Sequence, residues 1–270
     1  MDKYLEVLPV FVDKIREIRE IIISNIVLLG QTPAPTFHEK QRAEHLVERM
    51  AEFQVDECAI DDFGNPMAVI RGTSPTTPPI FVVAHLDTFS EVENDLHYEV
   101  TDKIISGIGV SDNSAAVGVL VSLPEIFKRL ELCFASYIVL VAPILSLGRG
   151  NLKGIRRLLG YWPTPIRGAI CLESIDLGRL NYYSYGMIRS EISCSIAVDD
   201  HERLHHKPNA ILVINDVINA ILGLRLPQKP RTQIVIGRIS GGFNHGAIAY
   251  DANIGFEIRS DSDDMVKYLY

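Results

Sequence analysis

The sequence has 270 residues, of which 47% are hydrophobic and 22% are charged, so it is a globular chain with enough apolar residues to form one or two domains. Its formal net charge of −8 argues against nucleic acid or an anionic membrane surface as the main partner. The longest apolar run (137–145) is too short to span a bilayer, and charged residues near the start argue against a signal peptide, so we expect a cytoplasmic protein.

The four cysteines are far apart in the chain and form no C-x-x-C pair. Three of them, Cys133, Cys171 and Cys194, lie in apolar runs. We therefore expect buried free thiols in a reducing compartment, in agreement with a cytoplasmic location.

The first part of the chain alternates helical and strand patterns. Apolar residues at helical spacing predict one or two helices over residues 3–30 and another over 38–53. The sequence DDFGN at 61–65 predicts a turn between two short strands. Further strands are predicted before His85, at 136–143 and at 168–173, with helices after residue 114 and from residue 155. This alternation predicts a doubly wound α/β sheet.

A histidine and an aspartate follow the strand predicted before His85. The apolar run FVVA leads directly into His85-Leu86-Asp87 and is typical of a buried strand in a parallel sheet. Alternation places His85 and Asp87 on the same side of the strand end, where α/β proteins place their sites. A metal-binding imidazole usually donates its other N–H to a carboxylate or carbonyl oxygen. The pattern fits a metal site, and the alternative is a structural histidine beside a solvated aspartate.

Two further acidic residues stand at element boundaries. Gly107 and Gly109 precede Asp112, after which an apolar helix begins. Asp112 is therefore either an ordinary N-cap or a carboxylate held beside His85. Glu173 stands at the end of the strand predicted at 168–173. This is the same position that His85 has at the end of the strand that precedes it.

After about residue 188 the pattern changes to that of an antiparallel α+β unit. Alternating strands are predicted at 188–198, 233–239 and 248–258, with a helix at 209–224 and another beginning at 261. We therefore predict two domains, residues 1–188 and residues 189–270.

Seven stretches, in this order and spacing, resemble the two-zinc exopeptidase family of peptidase T, carboxypeptidase G, aminoacylase and acetylornithine deacetylase. They are TPAPTFHEKQRAEHL, DDFGN, AHLDT, GVSDNSAA, GRGNLKG, LESIDLGRL and RISGGFNHGAIAYDANIGFEIRS. The resemblance covers nearly the whole chain. It implies a doubly wound α/β catalytic domain at 1–188 and an inserted α+β lid at 189–270, each without its C-terminal part. The implied substrates are small peptides or N-acyl amino acids, and the lid implies a homodimer.

The resemblance also implies site residues and a zinc cofactor. By position, His85 binds one zinc and Asp87 orients this histidine. Asp112 bridges two zincs, the peptide bond after it is cis, and Glu173 completes one site. His201 is the best match to the lid histidine that reaches the partner's active site, with His205 and His206 as alternatives, and all three could instead belong to a solvated loop.

The sequence departs from the family where the family has a Glu-Glu pair. Ser146 and Leu147 occupy the positions of the general base and of a zinc ligand, and no acidic residue occurs between Glu131 and Glu173. The family reaction needs a carboxylate that takes a proton from the attacking water, and neither side chain supplies one. The last zinc-binding histidine of the family has no counterpart in these residues. We therefore expect at most one well-ligated metal site.

Three hypotheses follow from these observations. The first is a metallopeptidase-family protein, related to zinc-dependent amide hydrolases, whose catalysis is impaired or lost. The second is an active hydrolase with a different general base, such as Asp176 or Glu191. The third is a non-enzymatic module that pairs through the lid, for which the strand at 188–198 would suit strand addition.

Overall fold

The computed structural model describes residues 2–90, 96–175, 178, 180, 184–197 and 208–270. The chain divides into two compact units, Met1–Leu177 and Gly178–Tyr270. This division comes before the boundary predicted at residue 188, because residue 188 lies within a strand that begins at Gly186 and belongs to the second unit. No helix in the described part of the chain is long and apolar enough to cross a membrane.

The first unit contains five helices and seven strands within its described residues. In chain order they are α1 (Asp2–Glu17), α2 (Arg19–Gly30), α3 (Lys40–Glu52), β1 (Glu57–Ile60), β2 (Pro66–Ile70), β3 (Ile80–Val83), β4 (Glu99–Val100), β5 (Ile105–Ser106), α4 (Ala115–Arg129), β6 (Ile138–Val141), α5 (Lys153–Tyr161) and β7 (Gly168–Cys171). The helices and main strands agree with the sequence pattern, whereas the short β4–β5 hairpin was not predicted. Its two-residue strands are too short to produce a detectable alternation.

The main sheet has the strand order β1-β2-β6-β3-β7. Strands β6, β3 and β7 run parallel, while β1 and β2 pair antiparallel at the other side of the sheet. The sheet is therefore mixed, and β3, the strand before His85, is flanked by parallel neighbours as its continuous apolar sequence predicted.

Both faces of this sheet are covered by helices, as expected for a doubly wound fold. On one face, Leu29, Leu46 and Leu120 from α2, α3 and α4 pack on Val82 and Leu140. On the other face, Leu158 of α5 packs on the intervening strand residues Phe81, Val83, Val139 and Val141. Successive residues of β3 and β6 thus point to opposite faces of the sheet. Because helices cover both faces, apolar residues are required at every position of these strands.

The second unit is an antiparallel sheet with helices. Its elements are β8 (Gly186–Ser195), α6 (Ala210–Leu222), β9 (Thr232–Gly241), β10 (Asp251–Ser260) and α7 (Asp263–Leu269), and the strand order is β8-β10-β9. Asn209 caps α6 and Ser262 caps α7, since each side chain accepts a backbone N–H of the first helical turn. Ala210 and Ile214 of α6 pack on Ala252 and Ile254 of β10. The predicted α+β arrangement of these elements is present.

The four cysteines are free, as predicted, but their predicted burial is wrong for two of them. Cys133 and Cys171 are exposed. Cys133 lies in the connection between α4 and β6, and Cys171 ends β7, which stands at the edge of the main sheet. An apolar stretch at the edge of a sheet has a neighbour on one side only, so its residues are less covered than those of a central strand.

Candidate metal centre at the ends of the parallel strands

His85 and Glu173 occupy equivalent positions beyond two paired parallel strands. Val83 of β3 is in register with Cys171 of β7, and each site residue follows two positions later. The Leu172 N–H donates to the Val83 carbonyl oxygen at 2.7 Å, which continues the pairing past the ends of both strands. Both side chains therefore stand at the carboxyl end of the sheet, where open α/β folds bind ligands.

Asp112 reaches the same place from the irregular turn Val110–Ser114 at the start of α4. Asp112 and Asn113 depart from helical backbone angles, and Gly109 enters the turn with φ of 73°. The peptide bond between Asp112 and Asn113 is cis, as the family resemblance implied. Asn113 is fully buried, and its side-chain N–H₂ donates to the Leu172 carbonyl oxygen at 3.1 Å. This hydrogen bond attaches the turn to the chain immediately before Glu173.

His85, Asp112 and Glu173 converge on one point. One potential ligand atom from each lies within 4.8 Å of the other two, and no other group of three His, Cys, Asp or Glu side chains in the described part of the chain meets this condition. His85 Nε2 is 2.9 Å from Asp112 Oδ1 and 3.7 Å from Glu173 Oε2. The His85 side chain is 10% exposed, while those of Asp112 and Glu173 are 45% and 49% exposed, so solvent reaches the carboxylates.

This donor set fits a single zinc ion. Zinc binds imidazole nitrogen and carboxylate oxygen at about 2.0–2.2 Å, so two ligands of a tetrahedral site lie roughly 3.3 Å apart. The distances of 2.9 and 3.7 Å from His85 Nε2 lie on either side of this value. Three protein ligands are sufficient for a zinc site that keeps an open position.

The His85 ring is oriented by Asp87 through its main chain. His85 Nδ1 is 2.9 Å from the Asp87 carbonyl oxygen, whereas the nearer carboxylate oxygen is 3.5 Å away. A carbonyl oxygen only accepts hydrogen bonds, so Nδ1 carries the proton and the Nε2 lone pair of neutral His85 faces Asp112 and Glu173. The orienting function predicted for Asp87 therefore comes mainly from its carbonyl group in this geometry.

The Asp87 carboxylate is fully buried, and its shorter hydrogen bonds come from groups other than His85. The Thr36 hydroxyl and the Leu147 N–H each donate to Oδ2 at 2.8 Å, and the Ser146 N–H donates at 3.0 Å. Burial raises the pKa of Asp87, but hydrogen bonds from His85, the Leu147 amide and Thr36 outweigh it, so the net pKa lies below the ordinary value. Asp87 is therefore ionised at neutral pH.

The acid–base properties of His85 and Glu173 reflect the concentration of negative charge at this centre. Burial lowers the pKa of His85, but the hydrogen bond with Asp87 and the charges of Glu173, Asp87 and Asp112 raise it above its ordinary value. Burial, with the nearby negative charge of Asp112, raises the pKa of Glu173 despite the opposing effect of His85. A bound cation would compensate this excess of negative charge.

The loop after β6 supplies no carboxylate to the centre. Ser146 is buried, and its hydroxyl donates to the Pro143 carbonyl oxygen at 3.4 Å, while its amide and that of Leu147 donate to Asp87. Ser146 and Leu147, at the positions where the resemblance implies a Glu-Glu pair, thus bind the Asp87 carboxylate through their main-chain N–H groups.

The structure does not test the other candidate residues as members of this group. Asp176, His201, His205 and His206 lie outside the residues that the structure describes. Glu191 lies on β8 in the second unit.

Three residues around the centre were not singled out from the sequence, although all lie in the stretch TPAPTFHEKQRAEHL. Thr36 binds Asp87 directly. Glu39 is 3% exposed and accepts the Leu145 N–H at 2.8 Å; burial raises its pKa, although backbone hydrogen bonds oppose this. Arg42 is fully buried and contacts Leu86, the residue that follows His85. Helical periodicity places position 42 on the buried face of α3, where a charged residue is unusual. This signal could have identified Arg42 from the sequence.

Comparison with known proteins shows a likeness of fold. No protein-family model matches the sequence, and no curated protein matches it. Among solved structures, the di-peptidase Dug1p of Saccharomyces cerevisiae has a TM-score of 0.74 at 13% identity, over 96% of this chain and 74% of that chain. Aminopeptidase PepT of Bacillus cereus has a TM-score of 0.53 at 17% identity, over 92% and 68%. The YXEP protein of Bacillus subtilis, a dinuclear metal-binding peptidase from the M20 family, has a TM-score of 0.51 at 16% identity, over 94% and 67%.

These likenesses confirm the predicted resemblance at the level of the fold. The chain has the α/β fold of these peptidases, and its sequence has diverged to identities at which function does not follow from the fold.

Proposed function

We propose that this chain is a member of the two-zinc exopeptidase family that retains one zinc site and has impaired or lost hydrolysis of peptides or N-acyl amino acids. The observation that carries the proposal is the convergence of His85, Asp112 and Glu173 at the carboxyl ends of parallel strands. Imidazole nitrogen and carboxylate oxygen are both ligands that zinc binds in proteins. The fold shared with a dinuclear metal-binding peptidase supports the same assignment.

The proposed ligands have distinct tasks. His85 presents Nε2, because its Nδ1 proton is held by the Asp87 carbonyl oxygen. Asp112 supplies a negative charge from the turn before α4. Glu173 supplies a second one from the segment after β7. A bound zinc ion would supply Lewis-acid chemistry toward a carbonyl or water oxygen.

Impaired catalysis follows from the absence of a general base at the expected position. Amide hydrolysis at a metal centre requires a group that removes a proton from the attacking water, and Ser146 and Leu147 do not supply one at neutral pH. Glu173 and Asp112 are occupied as proposed ligands. Asp87 is fully buried and accepts hydrogen bonds from Thr36 and two main-chain amides, so it is a poor candidate for this task.

A second candidate function is a dimerisation module formed by the second unit. Helix α6 leaves Leu212 62% and Leu222 69% exposed, and β8 and β9 are the edge strands of their sheet. Exposed apolar side chains and unpaired strand edges are typical of surfaces that bind another chain. A homodimer through this unit would be compatible with either a metal-binding or a metal-free protein.

Elemental analysis, a hydrolysis assay and measurement of the molar mass in solution distinguish these functions. We expect about one zinc per chain and no turnover of dipeptides or N-acyl amino acids, given three protein ligands and no base. Turnover above that of a blank would instead establish an active hydrolase with another base. A stable dimer that binds no zinc would support the module and contradict the metal site.

A further inference from the structure

Arg42, on helix α3, is a fully buried arginine in contact with the chain segments that carry the metal centre. Its guanidinium group donates to the Thr32 carbonyl oxygen at 2.7 Å and to the Gly30 carbonyl oxygen at 3.1 Å. It also donates to the Leu86 carbonyl oxygen at 3.0 Å and to the Ser114 hydroxyl at 3.4 Å. One side chain thus contacts three separate segments of the chain, at residues 30–32, at Leu86 and at Ser114.

Two of these contacts reach residues within two positions of a proposed ligand. Leu86 lies between His85 and Asp87, so its carbonyl group is part of the segment that presents the histidine. Ser114 lies two positions after Asp112, at the end of the irregular turn. Through Nη1, Arg42 therefore bridges the two segments whose side chains meet at 2.9 Å between His85 Nε2 and Asp112 Oδ1.

The environment of Arg42 differs from that of an arginine retained for a salt bridge. Among the described residues no carboxylate lies within ion-pair distance of it, and its main partners are carbonyl oxygens. Burial lowers the pKa of Arg42 to about 10, an effect that interactions with Tyr98 and Asp87 oppose, so the group remains positively charged at neutral pH. A planar group with five N–H donors can satisfy several carbonyl groups in fixed directions, which a lysine ammonium cannot do.

We propose that Arg42 is a positioning residue of the metal centre, which holds the His85–Asp87 segment and the Asp112–Ser114 turn at the separation that zinc requires. This inference rests on the proposed zinc site and adds a residue that contacts neither the ion nor a substrate. Without the guanidinium group, the Leu86 carbonyl oxygen and the Ser114 hydroxyl lose their common partner, and the two ligand segments are free to separate. The expected effect is on the affinity and geometry of metal binding, beyond any effect on stability.

Arg49 provides a matched control on the same helix. Its guanidinium group donates to the Asn25 side chain at 2.7 Å, so it also attaches α3 to α2, and its side chain is 25% exposed. It makes no contact with the segments that carry His85 or Asp112 among its described hydrogen bonds. Arg49→Lys therefore tests loss of a helix–helix contact, whereas Arg42→Lys tests loss of the bridge at the centre.

The test compares wild type, Arg42→Lys, Ser114→Ala and Arg49→Lys by zinc competition against a chromophoric chelator and by the visible absorption of the Co²⁺-loaded protein. Thermal unfolding of the metal-free proteins is measured in parallel.

We expect Arg42→Lys to weaken zinc binding about 10- to 100-fold, the usual effect of residues that orient ligands, and to change the Co²⁺ absorption bands. Ser114→Ala removes the weak hydrogen bond from Arg42, together with the hydrogen bond between Ser114 and Tyr98, and we expect a loss of about two- to tenfold. Arg49→Lys should lower the melting temperature without changing either metal measurement.

Each outcome decides the inference. Wild-type zinc affinity and Co²⁺ absorption in Arg42→Lys would overturn it, as would an equal loss of affinity in Arg49→Lys. If Arg42→Lys does not fold, Ser114→Ala decides, and unchanged zinc affinity in that variant overturns the inference. A wild-type protein that binds no zinc would overturn the proposed function itself, and the assignment of Arg42 with it.

Discussion

His85 Nε2 and Asp112 Oδ1 lie 2.9 Å apart, although 27 positions separate the two residues in the chain. The histidine follows strand β3, and the aspartate belongs to the turn before α4. Their approach, together with Glu173 beyond β7, creates a centre in which one imidazole faces two carboxylates. The following predictions test whether this centre binds a metal and how the residues around it support it.

Replacing Asp112 with Asn should abolish zinc binding, because it removes the negative charge of one of only three protein ligands while preserving the size of the side chain. Zinc per chain after purification, measured by elemental analysis, should fall from about one to near zero. Asp62→Asn is the control, since Asp62 is exposed in the turn between β1 and β2, and it should leave the zinc content unchanged. Equal zinc content in Asp112→Asn and wild type would disprove the site assignment.

Zinc affinity should fall as the pH is lowered from 8 to 6. The pKa of His85 is raised above 6.5 by its hydrogen bond with Asp87 and by the surrounding carboxylates, despite burial, so protons compete for Nε2 in this range. Below the pKa of His85 in the metal-free protein, each pH unit should weaken binding about tenfold. Dissociation constants at several pH values measure this dependence. An affinity that does not change between pH 8 and 6 would mean that His85 is not a ligand.

Asp87→Asn should destabilise the metal-free protein at neutral pH by about 1–3 kcal/mol, since the buried amide cannot replace a charged acceptor of several hydrogen bonds. The pKa of Asp87 is lowered from 3.8, because its hydrogen bonds outweigh the effect of burial. Its contribution to stability is therefore present above pH 3.8 and is lost as the pH falls through the pKa of the folded protein. Urea unfolding at pH 7 and at pH 3 should show a smaller difference between variant and wild type at the lower pH. A difference that grows on acidification would contradict the low pKa.

Introducing glutamate at positions 146 and 147 together should not create hydrolytic activity. The residue at 146 is 5% exposed and its amide is bonded to the Asp87 carboxylate, so a new carboxyl group there would be buried beside a negative charge. Both effects raise the pKa of a carboxyl group and favour its protonated form, which cannot take a proton from water, and burial of the new group also lowers stability. Assays with dipeptides and N-acyl amino acids, with Ser146→Ala as the control for folding, measure the outcome. Hydrolysis by the double variant would show that only the base is missing from an otherwise competent site.

Local sequence patterns were sufficient for the main helices and strands, and they singled out the three residues that converge. Apolar periodicity predicted α2 and α3, a continuous apolar run predicted β3, and a helix start followed by apolar residues predicted α4, because each of these elements buries its own apolar residues against a neighbour. His85, Asp112 and Glu173 were candidates because each follows a strand or precedes a helix, and the resemblance to zinc exopeptidases assigned them to one site. These features depend on short stretches of chain, so the sequence by itself determined them.

Only the tertiary structure decided how the centre is supported. The Asp87 carbonyl group orients His85, while the Asp87 carboxylate binds Thr36 and two main-chain amides, a division that side-chain identity does not reveal. Arg42 bridges both ligand segments through hydrogen bonds to the Leu86 carbonyl oxygen and the Ser114 hydroxyl. Every residue carries a carbonyl group, so no sequence pattern marks which one a buried donor will reach. That choice depends on how distant segments pack, and packing is a property of the folded chain.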